Sequence, residues 1–155
     1  MEKKKILAIG AIILLLVILL SRCSGSKKSV AMDFVEATTS DMNAKKAVSL
    51  MSDEYMENTM DQYGAATKRV LIAEMQKNFD AHEEDMEDNY GRHWKANVDY
   101  IDGYKDDDGR YYVVLSVTFE GTGGLLGMQD LEDTDELTVA LVKEGGKWRV
   151  DDLYS

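Results

Sequence analysis

Apolar residues follow three different spacings along this chain. Residues 6–20 read Ile-Leu-Ala-Ile-Gly-Ala-Ile-Ile-Leu-Leu-Leu-Val-Ile-Leu-Leu, fifteen positions without a charge. Lys3, Lys4 and Lys5 precede this run; Arg22, Cys23 and a Ser/Gly/Lys stretch follow it. From Val30 the spacing becomes three and four. Val30, Ala31, Phe34, Val35 and Thr38 form the stripe of an amphipathic helix. Thr39-Ser40-Asp41 breaks that stripe and supplies a helix-capping residue type. Met42, Ala44, Ala47, Val48, Leu50 and Met51 then predict a second helix. Ser52-Asp53-Glu54 is a further cap, which leaves 55–63 as a helical turn or an irregular piece that Gly64 ends. The third helix is the longest, with Val70, Leu71, Met75, Phe79, His82 and Met86 near one face.

At Gly91 the period becomes two. Trp94, Ala96, Val98 and Tyr100 alternate with Lys95, Asn97 and Asp99, which predicts a strand buried on one side. Asp106-Asp107-Asp108-Gly109 is a turn. Tyr111, Val113, Leu115, Val117 and Phe119 form the inward face of a second strand, and Leu137, Val139 and Leu141 mark a third. Gly145-Gly146 is a hairpin signal, because both positions accept positive φ. Trp148 and Val150 mark the last strand, with Asp152 on the same inward register. Between the second and third strands, residues 121–134 read as a long connection that carries Leu125, Leu126, Met128 and Leu131. Long connections in compact domains are uncommon and often functional, so these four residues form a candidate contact loop. The expected core is Trp94, Val98, Val113, Leu115, Phe119, Leu137, Val139, Leu141, Trp148 and Val150. Three helices followed by four antiparallel strands is an α+β layout, and the helices are the available cover for the apolar face of a curved sheet.

The first run has a separate meaning. A spanning helix needs about 20 apolar residues; fifteen is near the upper end for a secretory signal. The run is thus a membrane address or a membrane anchor, and it places the following domain on the extracytoplasmic side of a cell membrane. Residues 1–22 are the signal or anchor, 23–29 a tether and 30–155 the α+β extracytoplasmic domain. Leu20-Ser21-Arg22-Cys23 resembles the bacterial lipoprotein box, although that box usually has a small residue where Arg22 stands. Two readings stay open: a diacylated Cys23, or an unprocessed helix across residues 6–20 beside a lone cysteine. Either holds a domain stably at a membrane.

Charge narrows the partners. The net charge is −11, and beyond residue 22 the chain has 14 Lys/Arg against 28 Asp/Glu. Nucleic acid rewards clustered cations and is excluded as a partner on this balance. With one cysteine the domain has no internal disulfide. His82 begins a zinc-protease-like helix but lacks the second His four residues on. The Asp106–Gly109 segment offers Tyr104 and Leu115 where a calcium loop needs its first ligand and its bidentate Glu. Asp99, Tyr100, Tyr104 and Asp152 are acids and phenols without the spacing of a catalytic set. No catalytic, cofactor-binding or metal-ligating residue is expected, and no cofactor.

Leu50-Met51-Ser52-Asp53-Glu54 after the first helices, and the closing Gly145-Gly146-Lys147-Trp148-Arg149-Val150 hairpin, together resemble bacterial envelope proteins with a nuclear-transport-factor-2-like (cystatin-like) domain, many of them lipoproteins. The resemblance implies a cone-shaped domain in which helices fill the concavity of a bent sheet, often with a pocket. It implies no catalytic residues, because that fold hosts many functions. The expected function is a membrane-tethered binding or interaction module without catalysis. Its partner would be an envelope protein or a small apolar ligand. The alternatives are a small enzyme using the cone pocket and a subunit of an envelope or secretion assembly.

Overall fold

The computed structural model describes residues 25–123 and 129–155. Within them four helices precede four strands: α1 (Lys27–Thr39), α2 (Ala44–Leu50), α3 (Asp53–Tyr63), α4 (Lys68–Tyr90), then β1 (Lys95–Lys105), β2 (Tyr111–Gly123), β3 (Gln129–Glu144) and β4 (Lys147–Tyr154). Each helix starts where a short polar side chain accepts a first-turn N–H: Ser26, Asn43, Ser52 and Thr67. Three expectations are corrected here. The second helix takes its cap from Asn43, not from residues 39–41. The segment 55–63 is part of a full helix, because Ser52 caps it and Gly64 closes it, so the described helices number four and not three. The tether expected over 23–29 loses its last three residues to α1, since Ser26 Oγ accepts the Ser29 N–H at 3.1 Å.

The strands form an antiparallel meander in the order β1-β2-β3-β4. Val113 pairs with Val139 and Leu115 with Leu137, so the period-two residues of neighbouring strands share one face. That face meets Phe34, Val35, Val48 and Leu71 of the helices in a single core with Val117, Leu141 and Val150. Each such side chain contributes about 1.5–3 kcal/mol when fully buried. Val98, Phe119, Leu137 and Trp148 pack against this core half-buried. Trp94 does not belong to it. It lies just before β1, half-buried, beside a shallow depression with Ser40, Glu83 and Glu87.

The long connection expected at 121–134 is mostly sheet. β2 runs to Gly123 and β3 starts at Gln129, with Glu120 opposite Glu132 and Gly121 opposite Leu131. Thr118 and Thr134 share a hydroxyl contact of 3.1 Å across the pair. Gly121 is required there, since a Cβ would collide with the Tyr90 carbonyl where α4 ends against β2. Leu131 is therefore a half-buried strand residue. Leu125, Leu126, Met128, Cys23 and the run 6–20 lie outside the described residues. Among the described residues, no helix is long and apolar enough to cross a membrane.

Candidate functional site

A β-bulge builds the one buried carboxylate among the described residues. Leu141 pairs with Val150 and Ala140 with Asp152, which leaves Asp151 as the extra residue of β4. Strict alternation from Trp148 would turn Asp152 inward. The inserted residue gives the buried position to Asp151, whose side chain is 4% exposed, while Asp152 is half-buried. Nothing in the spacing of apolar residues marks a bulge, so the sequence reading missed Asp151.

Asp151 is held from two sides. Ser52 Oγ donates to Oδ1 at 3.0 Å. An Arg110 guanidinium nitrogen lies 2.8 Å from Oδ2. That nitrogen is at ion-pair distance without an aligned N–H, so Oδ2 has a counter-charge and no hydrogen-bond donor. The Asp151 charge raises the Arg110 pKa further above its ordinary value. Arg110 is itself fixed by the turn before it. Asp106 Oδ1 accepts the Asp108 and Arg110 backbone N–H groups at 3.1 and 2.9 Å, and Asp106 Oδ2 accepts the Tyr112 hydroxyl at 3.2 Å. Those bonds account for the acidic turn as a self-closed Asx turn.

The trio Ser52–Asp151–Arg110 works as a joint. Ser52 caps α3 by accepting the Tyr55 N–H at 3.0 Å, while its hydroxyl proton goes to Asp151. Its own N–H donates to the Val150 carbonyl at 2.7 Å. Both functions of the hydroxyl are committed, whereas a nucleophilic serine needs its proton offered to a base and its oxygen free. Tyr55, one turn along, packs on Phe34 with ring centroids 6.2 Å apart. Burial lifts its phenol pKa above the usual value, helped by the charges of Asp152 and Tyr63.

Two surface features flank this joint. At the far end of β2 and β3, an open depression of about 630 Å³ is lined by His93, Lys95, Glu120, Gly121, Thr122, Asp130, Leu131 and Glu132. It brings His93, just before β1, beside Leu131 of β3. His82 is exposed on α4 instead. Among the described residues, no group of three or more His, Cys, Asp or Glu is placed to hold a metal ion. At the opposite end, Lys27 Nζ sits 4.0 Å from the Tyr111 ring centroid and 5.1 Å from that of Trp148, and Lys28 Nζ sits 4.6 Å from that of Tyr100. Each exposed contact of this kind stabilises by about 0.5–1 kcal/mol. Tyr100 is 39% exposed, so the inward place expected for it is corrected. The register of β1 shifts between Tyr100 and Asp102, with Ile101 as the extra residue. Tyr104, 50% exposed, stacks on Tyr112 at 5.1 Å.

No protein-family model matches the chain, and no curated protein matches its sequence. Nine solved chains overlay on it, among them the following three. A proposed calcium/calmodulin dependent protein kinase II association domain from Xanthomonas campestris is 16% identical, with 85% of this chain and 87% of that one covered and a TM-score of 0.46. Aln2 from a Streptomyces species is 14% identical over 53% and 56% of the two chains, with a TM-score of 0.36. The intermembrane space region of chloroplast protein ARC6 is 10% identical over 80% and 92%, with a TM-score of 0.30. At such scores the likeness carries no argument about activity, and the α+β architecture stands on its own elements and register.

Proposed function

We propose that this chain is a non-catalytic binding module held at the extracytoplasmic side of a cell membrane, with a domain of the nuclear-transport-factor-2-like kind. The observation that carries the non-catalytic part is the state of Asp151. It is the sole buried carboxylate among the described residues, and Ser52 and Arg110 engage it as a joint between α3, β4 and the β1–β2 turn. An active site concentrates titratable groups around a cleft where substrate can reach them. The depression lined by the neighbours of Ser52, about 290 Å³, has Val48, Ser49, Met51, Asp53, Glu144 and Arg149 in its lining and not Asp151. The anchoring part rests on the uncharged run 6–20 behind three lysines. The open depression at His93, Lys95 and Glu132 is the surface offered to an envelope protein or a small ligand.

The test is a reporter active only outside the cytoplasm, fused after Ser155 of the full chain. The expected result is an active reporter that sediments with membranes and is released by detergent. An intact fusion with a silent reporter overturns the reading. In parallel, Cys23→Ser leaves sedimentation unchanged if residues 6–20 are an unprocessed helix. It releases the chain or traps a precursor if Cys23 is lipidated.

A further inference from the structure

The domain has two unlike ends. One carries the first turn of α1, the β1–β2 turn and the β3–β4 turn; the other is where β2 and β3 separate at Gly123 and Gln129. We propose that the domain stands on the bilayer on the first of these ends, held there by Lys27 and Lys28, so that β2 and β3 lead the His93–Glu132 depression away from the lipid. The proposal rests on the anchoring reading above.

Covalent reach is the first argument. Six residue steps separate Leu20, the last of the apolar run, from Ser26, the cap of α1. Fully extended they span at most about 20 Å. The slack ends at Ser26, because the next residues are helical and their ammonium groups lie on Tyr111, Trp148 and Tyr100 at the starts of β2 and β4 and mid-β1. Twelve residue steps of β2, from Tyr111 to Gly123, place the other end about 40 Å away at roughly 3.3 Å per residue. The anchor therefore leaves from the turn end, and the tether is too short for the domain to invert.

Reach alone allows the domain to lie on its side; charge does not favour that. Near the turn end, Lys27, Lys28, Lys105, Arg110, Lys147 and Arg149 balance Asp53, Asp106, Asp107, Asp108, Glu144 and Asp151, the partner of Arg110. Among the described residues at the far end, Glu87, Asp88, Glu120, Asp130, Glu132 and Asp133 outnumber Arg92 and Lys95. Screening confines the effect of a charged surface to about 10 Å at 0.1 M salt. Only the end next to the lipid feels the membrane, and a bilayer with anionic phospholipid repels the acidic end. Upright placement keeps that end outside the screened layer.

The experiment uses the full chain in vesicles of phosphatidylethanolamine and phosphatidylglycerol with an energy acceptor on the headgroups. A donor dye is attached at Asp107→Cys in one sample and at Glu132→Cys in another, both exposed positions. The chain with Cys23 as its sole cysteine gives the background. Transfer from position 107 is expected to exceed that from position 132 several-fold, and Lys27→Gln with Lys28→Gln is expected to remove at least half of that contrast. Equal transfer from vesicle-bound chains, or stronger transfer from position 132, overturns the orientation while leaving the anchoring intact. A contrast untouched by the double variant overturns the role of the two lysines. A chain that does not enter the vesicle fraction overturns the anchoring and this proposal together.

Discussion

β1 and β4 are the two edges of one sheet, and each contains a single bulge, yet they end in opposite states. β4 is covered. Met51 makes a parallel bridge to Val150, and the Ser52 N–H donates to the Val150 carbonyl, so the chain entering α3 acts as a fifth rung beside the edge. The bulge there buries Asp151, and Val150 is fully buried. Among the described residues β1 has no such neighbour. Its bulge leaves Ile101 49% exposed, between Tyr100 at 39% and Tyr104 at 50%. Open edges invite pairing with another chain, and natural sheets counter this with charge and bulges. Lys95, Asp99, Asp102 and Lys105 supply the charge on β1, and Ile101 interrupts its ladder. The same irregularity thus does two jobs: under cover it builds a polar joint, and in the open it blunts an edge.

The contrast can be broken most severely on the β4 side. Leu141, buried and paired with Val150, should lose about 2–5 kcal/mol on truncation to Ala, read as a large drop in the denaturant midpoint. Asp151→Ala comes next. It leaves the buried Ser52 hydroxyl without its acceptor and should cost about 1–3 kcal/mol. Arg110→Ala leaves Asp151 Oδ2 buried without its counter-charge and should also cost about 1–3 kcal/mol, at the low end because Arg110 itself is 38% exposed. An Arg110 effect equal to that of Asp151 would show the ion pair, not the serine bond, to be the main support.

A pH series sharpens the same region. The Tyr55 phenol in the fold has a pKa raised above 10.0, chiefly by burial. The unfolded phenol ionises first, so this contribution is fully present below pH 10.0 and is lost as pH rises through the folded value. Unfolding midpoints followed upward from about pH 9 should fall, and Tyr55→Phe should flatten that fall. The smallest effect belongs to the open edge. Ile101→Ala should move stability by no more than about 0.5 kcal/mol. In hydrogen exchange the Ser52 amide, bonded to Val150, should be protected, while outward-facing β1 amides exchange fast. Protection of β1 comparable to that of β4 would mean that something covers the β1 edge after all.

Much of the architecture was legible because it follows from periods. The stripe at Val30, Phe34 and Val35, the alternation through Val113, Leu115 and Val117, and the glycine pair at 145–146 each specify local geometry from neighbouring residues alone. Gly145 and Gly146 indeed take φ of 55° and 80° in the predicted hairpin. Where the reading failed, the missing information was long-range. Residues 121–134 look loop-like in glycine content, but 121–123 pair with 129–131 and the close approach of Tyr90 makes Gly121 a packing requirement. Trp94 has the hydrophobicity of a core residue, but the strand starts after it and it sits half-buried beside Ser40, Glu83 and Glu87, outside the core.

Composition and order along the chain dictated the charge, the uncharged run at 6–20, the α-then-β succession and the turn positions, because these depend on residues within a few positions of one another. The joint at Asp151 needed folding to come into being. Ser52, Arg110 and Asp151 are separated by dozens of residues and meet only when α3 starts on the β4 edge and a bulge moves one carboxylate out of register. The same holds for Lys27 on Tyr111 and Trp148. A period states which face a residue shares; it is silent on which distant element will cover that face, since that choice is made by the packing of the whole chain at once.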